Sequence, residues 1–290
     1  MTGPVRDGRP SEGGFVDLHM HSTASDGALP ATQVVEAAAR ARLEAIALTD
    51  HDTLDGVPEA SAAGARLGVR VVPGVELSAH DTAEVHMLGL HISRVEALEG
   101  RLRGFREARR TRAVRIVERL NELGIPVTMA NVMEYAGTGA IGRPHVARAL
   151  VALGAARDHR EAFDRWLGAG KPAYVEKEYL ALRDAIALVH EAGGIAVLAH
   201  PGASATRARL EELRGLGLDG VEVRHPGHTA EDIARIGAIA DHLGLLPSGG
   251  SDWHGASEGQ RTIGCMNIPR SWLEKQDAFL RERRERERVA

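Results

Sequence analysis

The sequence predicts an α/β barrel carrying a small inserted helical domain, and three observations predict it. Short apolar runs alternate with Ala-rich helical stretches, the pattern of βα units around a parallel sheet. Histidines and carboxylates follow those runs one after another, and a barrel gathers its active site at the carboxyl ends of its strands. Between about Arg94 and Tyr179 the alternation stops, and helical spacing broken by Gly and Pro takes over.

Residues 1–14 are polar, rich in Gly and Pro and without an apolar targeting region, so a disordered tail is expected there. The first part of the barrel covers 15–93. Phe15-Val16-Asp17-Leu18 reads as a strand running into His19-Met20-His21-Ser22. Pro30 suits the first turn of a helix reaching about Arg42. Ala45 to Thr49 forms the next strand and runs into Asp50-His51-Asp52; a helix from about Gly56 to Leu67 ends at Gly68. Val69 to Val72 leads to Gly74-Val75-Glu76, and 84–91 is a further strand containing His86.

The insert covers 94–179. Arg101, Arg103, Arg106, Arg109, Arg110, Arg112, Arg115 and Arg119 crowd its first helix, where Leu102, Phe105, Ala113, Ile116 and Leu120 recur at helical spacing. That is an amphipathic helix whose basic face is either solvated or guides an anionic substrate. The barrel resumes over 180–290: helix 182–192, strand 195–199 into His200-Pro201, helix 205–216, strand 220–223, helix 230–243 and strand 245–248. The last strand leads to Gly249-Gly250-Ser251-Asp252-Trp253-His254, and a final helix starts near Ser271.

At 290 residues the chain can bury a sizeable core, and with only 3% aromatic residues that core must be Ala, Val, Leu and Ile. A single cysteine, Cys265, excludes an internal disulfide, suits a reducing compartment and reads as a small buried apolar residue. No run approaches the length of a membrane span. A net charge of −4 argues against generic adhesion to nucleic acid, duplexes included. The expectation is a soluble cytoplasmic protein with no membrane partner.

His19 and His21 are two apart at a strand end, so their side chains share one side. A lone His-x-His is weak evidence. Together with Asp50-His51-Asp52, Glu76, His86, His200 and Asp252-Trp253-His254 it is strong, because neutral imidazoles and carboxylates are the usual ligands of divalent zinc, manganese and iron. The residues point to a multinuclear metal hydrolase.

These same segments carry a resemblance. Asp17-Leu18-His19-Met20-His21-Ser22, Leu48-Thr49-Asp50-His51-Asp52, Gly74-Val75-Glu76-Leu77-Ser78, His86-Met87-Leu88-Gly89, Ala199-His200-Pro201 and Gly250-Ser251-Asp252-Trp253-His254 resemble the motifs of the polymerase and histidinol phosphatase (PHP) family. The likeness runs from about Phe15 to Pro269. It is nearest to stand-alone phosphoesterases acting on nucleoside 3′,5′-bisphosphates and short oligoribonucleotides, whose insert is similar to Gly142–Leu150 and Gly170–Val175 here. The resemblance implies a distorted (βα)7-type barrel holding two or three divalent ions. It implies one ion on His19, His21, Glu76 and Asp252, a second on Glu76, His86 and His200, and a third on Asp26, His51 and His254. Two ions bridged by a carboxylate can share a hydroxide whose pKa falls towards neutrality, an in-line nucleophile for phosphate esters. Asp17, Asp50 and Asp52 flank these ligands and are expected to orient imidazoles.

A phosphate substrate also needs fixed donors. Arg143, in a Gly-Arg-Pro turn at a helix start, is the first choice because its planar fork matches phosphate oxygens. His145 and Lys171 are weaker companions. His225 and His228 follow another strand, and His225 suits a phosphate contact or a proton donor to the leaving oxygen. His80, His91, His159, His190 and His242 lack partner motifs and are expected to stay outside the site. The expected function is a metal-dependent phosphoesterase that dephosphorylates a nucleoside 3′,5′-bisphosphate or trims short RNA from its 5′ end. The rivals are a histidinol phosphate phosphatase, against which the insert argues, and a non-catalytic metal-binding module.

Overall fold

A computed structural model of the protein describes residues 14–136, 141–176, 179–256 and 259–289, so the expected tail lies, but for Gly14, outside the described residues. In chain order the first part contains β1 (Phe15–Met20), α1 (Ala31–Arg40), β2 (Ala45–Leu48), α2 (Val57–Leu67), β3 (Arg70–His80) and β4 (Glu84–Leu90). Helices follow: α3 (Val95–Glu122), α4 (Met129–Ala136), α5 (Arg143–Ala152) and α6 (His159–Ala162). The remainder is β5 (Leu180–Ala181), α7 (Leu182–Glu191), β6 (Ile195–Leu198), α8 (Arg207–Gly215), β7 (Gly220–Arg224), α9 (Ala230–Leu243), β8 (Leu246–Gly249), β9 (Ile268–Pro269) and α10 (Arg270–Val289).

The strands hydrogen-bond in the order β8-β7-β6-β4-β3-β2-β1-β9, with β5 attached to β3. The sheet curls until its ends nearly meet: the His21 amide donates to the Trp253 carbonyl at 2.9 Å just beyond β8. The result is a mixed α/β, nearly closed barrel, as expected. Its apolar strands and the inner faces of its helices are buried, Val34 and Val35 on α1 and Leu210 and Leu213 on α8 among them. Local signals start and stop the helices. Thr229 caps α9 by accepting from the Asp232 amide, and Gly68 after α2 takes a left-handed φ of 72°.

The sheet departs from the expected parallel arrangement at β4 and at the two-residue β9, which pairs antiparallel with β1. β4 runs antiparallel to both β3 and β6. Only residues 81–83 join β3 to β4, and a parallel return needs a crossover of a dozen residues or more. β3 is also longer than expected and passes straight through Glu76, with Ser78 paired to His86. Where β3 crosses β2, a Cβ on Gly74 would come within 2.9 Å of Thr49 Cγ2, so the close approach requires glycine.

α3 is one unbroken helix of 28 residues. Leu98 and Leu102 near its start pack into the barrel's apolar cluster, whereas Ala113, Ile116, Val117 and Leu120 pack into a second cluster with Val132, Val146, Leu150 and Leu167. Its basic face is not simply solvated. Arg106 donates to the Asp52 carbonyl at 2.7 Å, Arg109 to the Asp52 carboxylate at 2.6 Å, and Arg112 to the Val175 carbonyl at 2.9 Å. Phe105, expected on the apolar face, is 36% exposed and lines a cavity beside the barrel rim. Cys265 is half-buried rather than buried, and desolvation pushes its thiol pKa up.

Candidate metal centre

Each strand end delivers its polar side chains to one rim. His19 and His21 leave the end of β1 on the same side, and both are fully buried. His51 follows β2 and forms a parallel bridge with Glu76 of β3. His86 reaches the same rim although it stands near the start of its strand, because β4 runs the other way. His200 follows β6, and Asp252 and His254 follow β8. Asp52, His200 and Asp252 adopt positive φ values of 51°, 29° and 50°. Backbone strain of this kind in side-chain-bearing residues gathers at functional sites.

Glu76 is the hub. It is 1% exposed, and its two oxygens serve different sets of rings. Oε2 lies 3.2 Å from His19 Nε2, 3.3 Å from His21 Nε2 and 3.2 Å from His51 Nδ1. Oε1 lies 2.8 Å from His86 Nδ1 and 2.9 Å from His200 Nε2. Asp252 Oδ1 is 3.2 Å from His21 Nε2 and 3.5 Å from His19 Nε2. Asp26 faces His254 Nε2 at 3.2 Å and His51 Nε2 at 3.7 Å. It stands on a turn so tight that a Cβ on Gly27 would come within 2.6 Å of the His21 carbonyl oxygen.

Among the described residues, three groups of side chains have donor atoms that all lie within 4.8 Å of one another: His19, His21, Glu76 and Asp252; His21, Asp26, His51 and His254; and His51, Glu76 and His86. The residues fit a divalent ion on one further observation. Both ring nitrogens of His21 are buried without a hydrogen bond, a costly arrangement that an ion would relieve.

The charges are strongly coupled. Burial opposes ionisation of Glu76, yet His19 and its neighbours hold its carboxyl well below the usual range. Burial also disfavours charge on the rings, but Asp252 and Glu76 raise His21 to about 9, and Glu76 and Glu84 raise His86 to about 10. In His51 burial prevails and its pKa falls.

Asp17, Asp50 and Asp52 do not orient imidazoles, contrary to expectation. Asp17 accepts the Ser251 and Gly264 amides, each at 2.9 Å. Asp50 accepts the Ser22 amide and the hydroxyls of Ser22 and Ser25, all at 2.7 Å. Asp52 holds the Ser78 amide and hydroxyl at 2.9 Å. Asp17 and Asp50 thus fix loop backbone and hydroxyls, and Asp52 ties Ser78 of β3 to Arg109 of α3. A carboxylate outside the expected ligands that does meet one of their rings is Glu222 of β7, completely buried and 3.1 Å from His19 Nδ1. A lone carboxylate inside the apolar run Gly220-Val221-Glu222-Val223 was the available signal for it. Arg261, on the segment after β8, also pairs with Asp252.

His225 is buried beside the cluster; its Nδ1 accepts the Gly227 amide at 3.0 Å, so Nε2 carries the hydrogen that faces Asp252 Oδ2 at 3.3 Å. Both His228 ring nitrogens are engaged within the protein, Nδ1 with the Val223 carbonyl and Nε2 with the Gly202 amide, which ties the His225 loop to the segment after His200. Arg143 begins α5, with its guanidinium 5.5 Å from the centres of both the Phe163 and Tyr174 rings. His145 closes the turn before α5 by accepting the Gly142 amide at 3.1 Å, and Lys171 is exposed. The cavity beside the rim, about 290 Å³, is lined by Asp52, Ser78, Phe105, Arg109, Arg112 and Tyr179 among others. Arg112 Nη2 is buried with no hydrogen-bond partner, and burial and the neighbouring Arg143 lower its pKa. His80, His91, His159, His190 and His242 belong to none of the donor groups.

A family model described as the PHP domain matches residues 17–176. The chain is 40% identical to the 3′,5′-nucleoside bisphosphate phosphatase of Chromobacterium violaceum, over 86% of this chain and 90% of that one. It is 35% identical to a 5′-3′ exoribonuclease of Haemophilus influenzae, over 82% and 89% of the two chains. A crystal structure from Bifidobacterium adolescentis, described as a metal-dependent phosphoesterase, superposes with a TM-score of 0.73 at 33% identity, over 92% and 96% of the two chains.

Proposed function

The chain belongs to the PHP family of metal-dependent phosphoesterases, and from that premise we propose that its substrates are phosphate esters of nucleotides: a nucleoside 3′,5′-bisphosphate, the 5′ end of a short RNA, or both. The observation that carries this reading is Glu76, a buried carboxylate whose two oxygens face two separate sets of imidazoles. Such a group divides one site into two adjoining ion positions. His19, His21, Asp252 and Glu76 Oε2 would hold one ion; Glu76 Oε1, His86 and His200 a second; Asp26, His51 and His254 a third. Mixed imidazole and carboxylate ligation suits manganese, zinc or iron. When bound, such ions lower the pKa of water and neutralise charge on the phosphoryl oxygens.

The chain's own groups then have distinct tasks. Arg143, its guanidinium against two aromatic rings, orients a substrate phosphate, with His145 and Lys171 as its companions in that role. Arg112 brings a second guanidinium near Arg143, its Nη2 buried and without a hydrogen-bond partner among the described residues, and an anionic substrate would supply one. His225 presents Nε2–H towards Asp252 and serves as the proton donor to the leaving oxygen in this reading. Net charge of −4 leaves the attraction local to this cleft, which favours short single strands over duplexes.

The test is product release by manganese-loaded protein from adenosine 3′,5′-bisphosphate and, in parallel, from a short 5′-phosphorylated RNA. Free phosphate from the first or mononucleotides from the second is expected, and Asp252→Ala should abolish either. Silence on both, with histidinol phosphate or another small ester cleaved, would overturn the substrate.

A further inference from the structure

Glu222 lies in the middle of β7, is completely buried, and belongs to none of the groups of converging donors. Its Oε1 is 3.1 Å from His19 Nδ1, and its Oε2 accepts the backbone amide of His200 at 2.8 Å. These two residues come from β1 and from the end of β6, and both meet Glu76 with their other nitrogen. His19 Nε2 lies 3.2 Å from Glu76 Oε2, and His200 Nε2 lies 2.9 Å from Glu76 Oε1. Glu222 therefore grips from beneath the same two residues that Glu76 faces from above. Both its oxygens are already engaged, so it is a support for ligands rather than a ligand.

We propose that Glu222 is the positioning residue of the metal centre, setting which nitrogen of His19 faces the ion and where His200 stands. The proposal rests on His19 and His200 being ligands, as read above. A neutral imidazole carries one hydrogen, and an ionised carboxylate can only accept. With Glu222 against Nδ1, that hydrogen sits on Nδ1 and the Nε2 lone pair points to the centre. The second oxygen holds the His200 amide while that residue sits at a φ of 29°, a conformation that needs outside support. No other side chain reaches His19 Nδ1 among the described hydrogen bonds.

Glu222→Gln tests this. A glutamine offers one carbonyl oxygen where two N–H groups point, so one of them faces an NH2 group. Zinc affinity of the full-length protein, measured by competition with a chromophoric chelator, is expected to fall about 10- to 100-fold. The affinities are compared below the metal-free melting temperature of either chain, which the buried N–H left facing an NH2 group lowers in the variant. In a His19→Ala background the same substitution should cost clearly less, because the ring is gone and only the hold on the His200 amide remains. Equal losses in both backgrounds, or an unchanged affinity in the native background, would overturn the proposal. Should Glu222→Gln fail to fold, nitrogen-15 imidazole spectra of the zinc-loaded native protein decide it. His19 protonated at Nδ1 and bound through Nε2 supports the assignment, and coordination through Nδ1 refutes it. A native chain that took up no zinc would overturn the ligand assignment as well, which separates that failure from this one.

Discussion

Glu76 concentrates five imidazoles around one carboxylate, and its neighbours' titration has a measurable sign. His21 and His86 stand at about 9 and about 10 in the metal-free protein, above an unfolded value of 6.5. Rings raised in this way contribute stability that is fully present below pH 6.5 and is lost as pH rises through 9 and 10. A bound ion needs the neutral rings, so metal uptake releases protons and strengthens with pH. The gain in melting temperature on metal loading should therefore grow between about pH 6.5 and 9, and a constant gain would contradict protonated rings. Arg143→Ala should lower kcat/KM by about 10- to 100-fold through loss of a charged hydrogen-bond donor, with metal content unchanged. Apart from Asp26, which stands on a turn, the residues that converge on the rim were legible because each follows or begins an apolar run. Glu222 was not read, because it sits inside such a run and its partners lie 203 and 22 residues away. Asp17, Asp50 and Asp52 were located correctly but misread in purpose, since sequence proximity to a ligand says nothing of which N–H groups the fold turns towards a carboxylate.

Among the elements, the alternation of strands and helices was readable because caps and glycines punctuate it, but β3 runs on to His80 and the two-residue β5 and β9 were not read. The direction of β4 was not read, although the three-residue link at 81–83 already required a reversal. That reversal brings His86, the third residue of β4, to the rim where the parallel strands end. The closure between β1 and β8 is equally exacting. A Cβ on Gly250 would lie 2.5 Å from both the backbone nitrogen and Cβ of His19 and 2.8 Å from Asp17 Oδ1. Gly250→Ala is expected to destabilise the protein by about 1–3 kcal/mol and to weaken metal binding together with it, read by thermal melts and chelator competition. A variant that kept native stability would show that the two strands are not held at this distance.

For the whole molecule, charge is distributed against its average. The chain carries −4 overall, yet the cavity at the rim is lined by Arg109, Arg112 and Arg115. A tenfold rise in salt should raise KM for a short RNA by about 5- to 25-fold if one or two phosphates are engaged there, with kcat nearly constant. An insensitive KM would exclude that route. The run of helices from α3 to α6 was visible as a break in rhythm, but its packing was not, because periodicity cannot say which end of a long amphipathic helix packs against which neighbour. The structure shows α3 anchored at Leu98 and Leu102 in one apolar cluster and from Ala113 to Leu120 in the other. A 28-residue helix is a stiff rod of about 42 Å. It acts as a lever whose short arm is seated in the barrel. A tilt of about 2° at Leu102 carries Leu120 through about 1 Å, so small repacking at the base is magnified at the far end. Sequence variation around Leu98 and Leu102 would thus tune the reach of the opposite wall without touching a single residue that meets substrate.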